Sequence, residues 1–271
     1  MVLTPLPAGD STTPLLDALC ARAGEGRVSF HMPGHAGGRG FSSALLGAAG
    51  RLDSTELVTT DDIHLPTGPA REAMERAAQA FGAGRTHFLT SGSTCGLLAM
   101  ITIATAGGRT LLLPRTVHRS VLHAIALTGA NYRFLPLPAL HPDRSPFAAV
   151  AQPRPQDIRN VLACDPSIGA ILVTSPDYYG LCADLPAIAE VAHQAGILLL
   201  VDEAHGAHLR FAPDLLPLCA MDAGADLCVQ SAHKTLPALT QAAMLHLSAD
   251  AIRRGVLRPD AIQEAVNLYE T

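Results

Sequence analysis

Between Thr86 and Val201 short runs of Leu, Ile and Val alternate with longer stretches whose apolar residues recur at helical spacing, and few architectures accommodate that rhythm. The spacing predicts strands over Thr110–Leu113, Tyr132–Leu137, Ile168–Thr174 and Ile197–Val201. It predicts helices over His118–Leu127, Pro155–Ala163 and Leu185–Gln194. Strands that are apolar throughout, rather than at every second residue, are buried on both faces. The expectation is therefore an α/β protein with a mostly parallel sheet covered by helices on either side. Ligands of such sheets gather at the carboxyl ends of the strands. Outside this block, leucines after Thr12 and Thr13 predict a short helix over Pro14–Ala23, and an alanine-rich stretch with outward-facing Glu72, Glu75 and Arg76 predicts another over Pro69–Phe81. Towards the end come a strand Asp226–Val229, a strand Ala242–Leu247 and a helix Ile262–Leu268, with one helix expected between Asp202 and Asp226 and with Pro237 preventing a helix from running on.

Composition narrows the function classes. With 271 residues, 48% apolar and 16% charged, the chain can bury a sizeable core. A net charge of -5 and the lack of any Lys/Arg-rich run speak against nucleic acid and acidic membrane surfaces as partners. Cys20, Cys95, Cys164, Cys182, Cys219 and Cys228 show no C-x-x-C spacing, which suits reduced thiols rather than a disulfide framework or a zinc site. No basic start precedes an apolar stretch, and the longest apolar run, about Leu97 to Ala106, is too short to span a bilayer, so the cytoplasm is the expected location.

The chemistry concentrates at predicted strand ends. Lys234, within D-L-C-V-Q-S-A-H-K-T-L-P-A-L-T-Q-A-A (Asp226–Ala243), is the only lysine, beside eighteen arginines. A guanidinium stays protonated and delocalised, whereas a lysine amine can attack a carbonyl to give a Schiff base, most plausibly with pyridoxal 5'-phosphate (PLP). Codon bias in an Ala- and Arg-rich chain is the competing explanation of a lone lysine. In I-L-L-L-V-D-E-A-H-G-A-H (Ile197–His208) an apolar strand ends abruptly in Asp202, thirty-two residues before Lys234. A carboxylate there can keep a pyridine nitrogen protonated, although a strand-end Asp is often only a turn former. D-E-A-H also occurs in helicases, but the lysine of a P-loop is missing; Asp202, His205 and His208 are weakly spaced for zinc, and no metal is expected. The segment T-H-F-L-T-S-G-S-T-C-G (Thr86–Gly96) reads as strand, turn and helix, with the turn at Ser91, Gly92, Ser93 and Thr94. Small residues, hydroxyls and a helix start suit a phosphate.

Taken together, V-Q-S-A-H-K-T-L-P-A-L-T-Q-A-A (Val229–Ala243) and these strand ends resemble the ornithine/lysine/arginine decarboxylases, PLP enzymes of fold type I (aspartate-aminotransferase-like), over nearly the whole chain from His31 onward. The resemblance implies a three-layer large domain over 69–271, preceded by a segment 1–68 carrying the loop F-H-M-P-G-H-A-G-G-R-G (Phe30–Gly40) close to the active site. It implies that Lys234 binds PLP, that Ser91, Gly92, Ser93, Thr94, Ser231 and His233 meet its phosphate, that His118 in P-R-T-V-H-R-S stacks on the ring, that Asp202 pairs with the ring nitrogen, and that Ala204 and His205 contact the ring and its phenolic oxygen. Lys234, Asp202, His118 and His205 are the implied catalytic set. V-T-S-P-D-Y-Y-G (Val173–Gly180) is similar to a family turn near the cofactor, but Asp177 stands where the family has threonine, so Tyr179 carries over weakly. Leu52–Pro69 resembles an acidic stretch of the family, yet by itself its Glu56, Asp61 and Asp62 read as solvated loop charges. Between Pro136 and Pro155 a proline-rich surface loop is expected.

The implied activity is PLP-dependent decarboxylation of lysine, ornithine or arginine to an amine of polyamine metabolism, in a homodimer or higher oligomer. The family continues through a smaller C-terminal domain, and nothing after Lys234 is long enough to supply it. A fragment, a truncated product and one part of a split enzyme stay open. So do another fold type I reaction, as in α-oxoamine synthases or aminotransferases, and a non-catalytic partner of a full-length decarboxylase.

Overall fold

The structure is a computed structural model that describes residues 13–28, 38–39, 49–136 and 151–270. The glycine-rich loop Phe30–Gly40, apart from 38–39, and most of the loop between Pro136 and Pro155 lie outside the described residues. The chain divides into two compact units, 1–77 and 78–271.

In the first unit α1 (Pro14–Gly24) begins on a proline, whose fixed φ suits a first helical turn. Helix α2 (Pro69–Phe81) follows a loop organised by Asp61. The Asp61 carboxylate accepts the backbone N–H groups of Asp62, Thr67, Gly68, Ala70 and Arg71, at 2.7–3.3 Å. Burial pushes its pKa up, but these donors outweigh that and hold it below the usual range. Asp61 is thus a cap for the free N–H groups at the start of α2, not the solvated loop charge that its sequence context suggests. Sequence proximity could not show this, because the donors sit up to ten residues away and meet only when the loop folds back.

In the second unit β1 (Arg85–Leu89), β2 (Thr110–Pro114), β3 (Tyr132–Leu135), β4 (Ile168–Thr174), β5 (Leu198–Asp202), β6 (Leu227–Gln230) and β7 (Ala243–Leu247) form one sheet in the order β1-β7-β6-β5-β4-β2-β3. All pairs are parallel except those of β7 with β1 and β6, so β7 alone runs against the others. Apolar periodicity reports burial and carries no direction, so this reversal was not readable from it.

The uniformly apolar strands behave as expected of a sheet covered twice. On β5, Leu198 and Leu200 pack into one core with α3 (Ser93–Ala104), α4 (Arg119–Thr128) and α9 (Pro259–Tyr269), while Leu199 and Val201 pack into a second core with α5 (Pro155–Leu162) and α6 (Leu185–Gln194). Successive residues on a strand face opposite ways, and both sides here are apolar. Strand β4 and helices α2 and α6 have the limits read from sequence. The helix expected between Asp202 and β6 does not form: only a three-residue 3₁₀ turn, Leu209–Phe211, lies there. Pro213, Pro217, Gly206 and Gly224 interrupt that stretch too often for a helix to propagate. Two short helices complete the unit, α7 (Ala232–Thr235) and α8 (Ala249–Arg253).

Candidate active site

Strand β5 delivers Asp202 to the carboxyl edge of the sheet, one residue further into the strand than the apolar run alone indicates. Its side chain is 2% exposed, and among the described residues its carboxylate receives one hydrogen bond, from Ala204 N–H at 3.2 Å. Burial pushes its pKa up; the Ala204 amide and the charges of Lys234 and His118 pull it back only in part.

The neighbouring strand supplies the lysine. Ser231 directly follows β6 and holds the N-cap position of the single turn α7, in which Lys234 N–H bonds Ser231 O at 3.2 Å. Lys234 is exposed, and its Nζ donates to Nε2 of His205 at 3.3 Å. That bond needs an unprotonated Nε2. The His205 ring is held below its ordinary pKa by partial burial and then by the charges of Lys234 and His118. His118 is the N-cap of α4, where its Nδ1 accepts from Ser120 N–H at 3.3 Å. His118 and Lys234 both bear electrostatically on Asp202 and His205, so the four side chains form one cluster. The floor, with Asp202 and Ala204, is buried; the rim, with His118 and Lys234, is open.

The phosphate-type turn adjoins this cluster. Helix α3 starts at Ser93, so Ser93 and Thr94 are its first residues and the turn proper is shorter than read from sequence. Ser231 Oγ donates to Ser93 Oγ at 2.9 Å, tying the start of α3 to the lysine's own turn. Gly92, with φ 76 and ψ 177, occupies a conformation that only glycine adopts readily. Gly96 lets α3 approach the sheet, since a Cβ there would lie 2.6 Å from Val229 Cγ2 and 2.8 Å from Leu89 Cδ1. His233 bonds elsewhere: its backbone N–H and Nδ1 both meet the Ala242 carbonyl, at 3.2 and 2.9 Å, so a phosphate contact from this ring could only use Nε2.

The site includes residues that sequence reasoning passed over. Glu270 Oε1 accepts Thr90 N–H at 2.6 Å and Ser91 N–H at 2.8 Å, and also the Thr90 hydroxyl, fastening the strand end that leads into the Gly92 turn. Burial raises its pKa, but hydrogen bonds from Cys95, Thr90 and Ser91 outweigh that and lower it. Glu203, next to Asp202 in the quoted motif, is buried and holds β6 from the other face. The signal for it was present, because adjacent strand residues point to opposite sides. Tyr178 and Tyr179 are exposed beside the cluster, with the Tyr178 ring 6.3 Å from that of His205. Asp177 fixes their turn through Tyr179 N–H and Leu181 N–H, both at 2.9 Å. Among the described residues there is no group of three or more metal-ligating side chains, and no helix long and apolar enough to cross a membrane.

Residues 13–271 match the family model described as Orn/Lys/Arg decarboxylase, major domain. The chain belongs to the ornithine/lysine/arginine decarboxylase family. It is 34% identical to an arginine decarboxylase of Halalkalibacterium halodurans over 96% of its own length and 52% of that protein's. It is 41% identical to an uncharacterized Bacillus subtilis protein, YaaO, over 88% of its length and 49% of that protein's. It thus spans about half the length of the curated relatives it matches. Among solved structures it resembles the constitutive lysine decarboxylase of Escherichia coli, with a TM-score of 0.75 at 24% identity over 96% of this chain and 38% of that one. It also resembles lysine decarboxylase A of Pseudomonas aeruginosa, with a TM-score of 0.76 at 24% identity over 95% and 37%. These likenesses agree with a seven-stranded sheet of the fold type I PLP enzymes.

Proposed function

We propose that this chain is the PLP-binding part of a decarboxylase acting on a basic amino acid. The observation that carries the reading is that the sole lysine, hydrogen-bonded to His205, and the buried carboxyl group of Asp202 both stand at the carboxyl ends of adjacent strands, next to a glycine-built turn at the start of α3. The donor set fits PLP group by group. Lys234 would hold it covalently; Ser91, Gly92, Ser93 and Thr94, with Ser231 and His233, would receive its phosphate at the positive end of a twelve-residue helix. Asp202 would hold a proton on the ring nitrogen, while Ala204 and His118 would flank the ring and His205 would meet the phenolic oxygen. When bound, PLP supplies the electron sink that lets a carboxylate leave as CO₂.

The chain's own residues do the rest. Burial of Asp202 keeps water from competing for the ring nitrogen, and an unprotonated His205 accepts from Nζ and so aims the amine across the floor. The basic substrate class rests on the names of the relatives, arginine and lysine decarboxylases.

The direct test is an absorbance titration with PLP followed by CO₂ release from lysine, ornithine and arginine. A visible band together with release from at least one of the three is expected. No band would overturn the reading, and a band with α-transamination in place of CO₂ release would move the chain to another reaction of the same fold.

The Gly92 turn gives a second expectation. Gly92→Ala forces a side chain into a backbone region that costs on the order of 1–3 kcal/mol. The free variant relaxes the turn out of that region and must return to it to hold the phosphate, so the PLP concentration for half-saturation should rise roughly tenfold, the factor that about 1.4 kcal/mol represents, as read by the same titration.

A further inference from the structure

Behind the sheet, on the face opposite Asp202, a chain of buried polar side chains runs from Glu203, just past the end of β5, across β6, β7 and β1. Glu203 Oε1 accepts Ala220 N–H at 2.8 Å, and Glu203 Oε2 accepts Gln230 Nε2–H at 2.7 Å and the Cys228 thiol at 3.5 Å. Gln230 Oε1 in turn accepts from His246 Nε2 at 3.1 Å, and His246 Nδ1 accepts the Thr86 hydroxyl at 2.8 Å. Glu203, Gln230, His246 and Thr86 are each no more than 1% exposed. Burial lowers the His246 pKa to about 3, so its ring is neutral and carries one proton. Burial pushes the Glu203 pKa up to about 7, so at pH 8 it is an anion that only accepts, and every donor in the chain then points toward it.

The connections are not arbitrary. Glu203 directly follows Asp202, and Gln230 directly precedes Ser231 at the start of the lysine's turn. Thr86 lies on the strand that leads to Ser91 and Gly92. Ala220 lies at the far end of the 203–220 connection that carries Ala204 and His205, so the Glu203 bond to its N–H closes that connection. Space has been left for this arrangement: a Cβ on Gly206 would come within 2.5 Å of Glu203 Cγ. Besides Gln230, the titratable groups that bear on Glu203 are Cys228, Cys219, Cys182 and Asp222. Among the described residues no cation meets its carboxylate.

We propose that Glu203 is a positioning residue for the PLP site: from behind the sheet it locks together the ends of β5 and β6, the strands that set Asp202 opposite Lys234. The inference rests on the PLP reading above. Its test is Glu203→Gln, made in the full chain and studied at pH 8. A glutamine at 203 can satisfy Ala220 N–H only by turning its amide donors toward Gln230. That flips the Gln230 amide and moves the His246 proton from Nε2 to Nδ1.

Three results are expected. The far-UV circular dichroism stays that of the parent. The ¹⁵N shifts of His246 in PLP-free protein report the changed tautomer. The PLP half-saturation concentration rises about tenfold, the low end for losing a partner that orients a ligating group. Should Glu203→Gln not fold, Thr86→Val cuts the far end of the chain away from the site and is expected to raise the half-saturation concentration about twofold to threefold. An unchanged tautomer in Glu203→Gln, or an unchanged titration in whichever variant folds, would overturn the proposal. Parent protein without any PLP band would instead sink the underlying reading and would leave the tautomer result to judge the chain of hydrogen bonds alone.

Discussion

Replacing Lys234 with alanine is expected to abolish the visible band of protein-bound PLP and to reduce CO₂ release on the order of 10⁴-fold or more, the scale seen when the group that makes the covalent bond is removed. The size of the effect follows from the absence of a substitute. The chain has no other lysine, and its eighteen arginines cannot form a Schiff base. Neighbouring nitrogens do not replace it: His205 and His118 are near, but an imidazole holds no aldehyde in a stable covalent bond. Stability should change little, because Lys234 is exposed and the one hydrogen bond its side chain makes among the described residues, to His205 at 3.3 Å, is at the long end of the useful range. The check is an absorbance spectrum with added PLP, a CO₂ assay and thermal unfolding on the same preparation. A full visible band in Lys234→Ala would show that PLP is held elsewhere.

What could be read from residues alone depended on whether the deciding interaction was local. Strand β4 and helix α6 came out with the right limits, since the apolar run Ile168–Val173 closed by Thr174 and the Asp184–Leu185–Pro186 start are each complete signals by themselves. The strand-end position of Asp202 and the glycine turn before α3 were legible for the same reason. The reversed direction of β7 was not, because its pairing with β1 joins residues some 160 positions apart. The capping role of Asp61 was hidden by the need to fold a loop before its five donors converge. The Glu203 chain was hidden more deeply still: Thr86, Gln230 and His246 lie far apart in sequence, and each alone looks like an ordinary polar residue in an apolar strand. The cluster of His118, Asp202, His205 and Lys234 is intermediate, since resemblance named its members and only the folded sheet brings them together.

Asp202→Asn should separate chemistry from stability. The change keeps the shape of the side chain and removes its charge, so on the proposed reading the ring nitrogen of bound PLP would lose the group that keeps it protonated. Decarboxylation should fall about 10²- to 10³-fold, the usual consequence of removing one preorganised electrostatic partner. The folded PLP-free protein should not suffer. Burial raises the pKa of Asp202, which means that the fold favours its protonated form. For a group with a raised pKa, the unfolded chain gives up its proton first as pH increases. The burden on stability therefore begins near the ordinary carboxylate pKa and is complete above the raised value. An amide carries no such burden. Thermal unfolding of PLP-free Asp202→Asn at pH 8 should occur at or above the parent's temperature, and any advantage should shrink as pH falls toward 4. A variant that loses activity and unfolds much earlier at pH 8 would make Asp202 a structural strand-end residue. If activity falls and stability holds, the carboxyl group is kept in this costly place for the sake of the cofactor it faces.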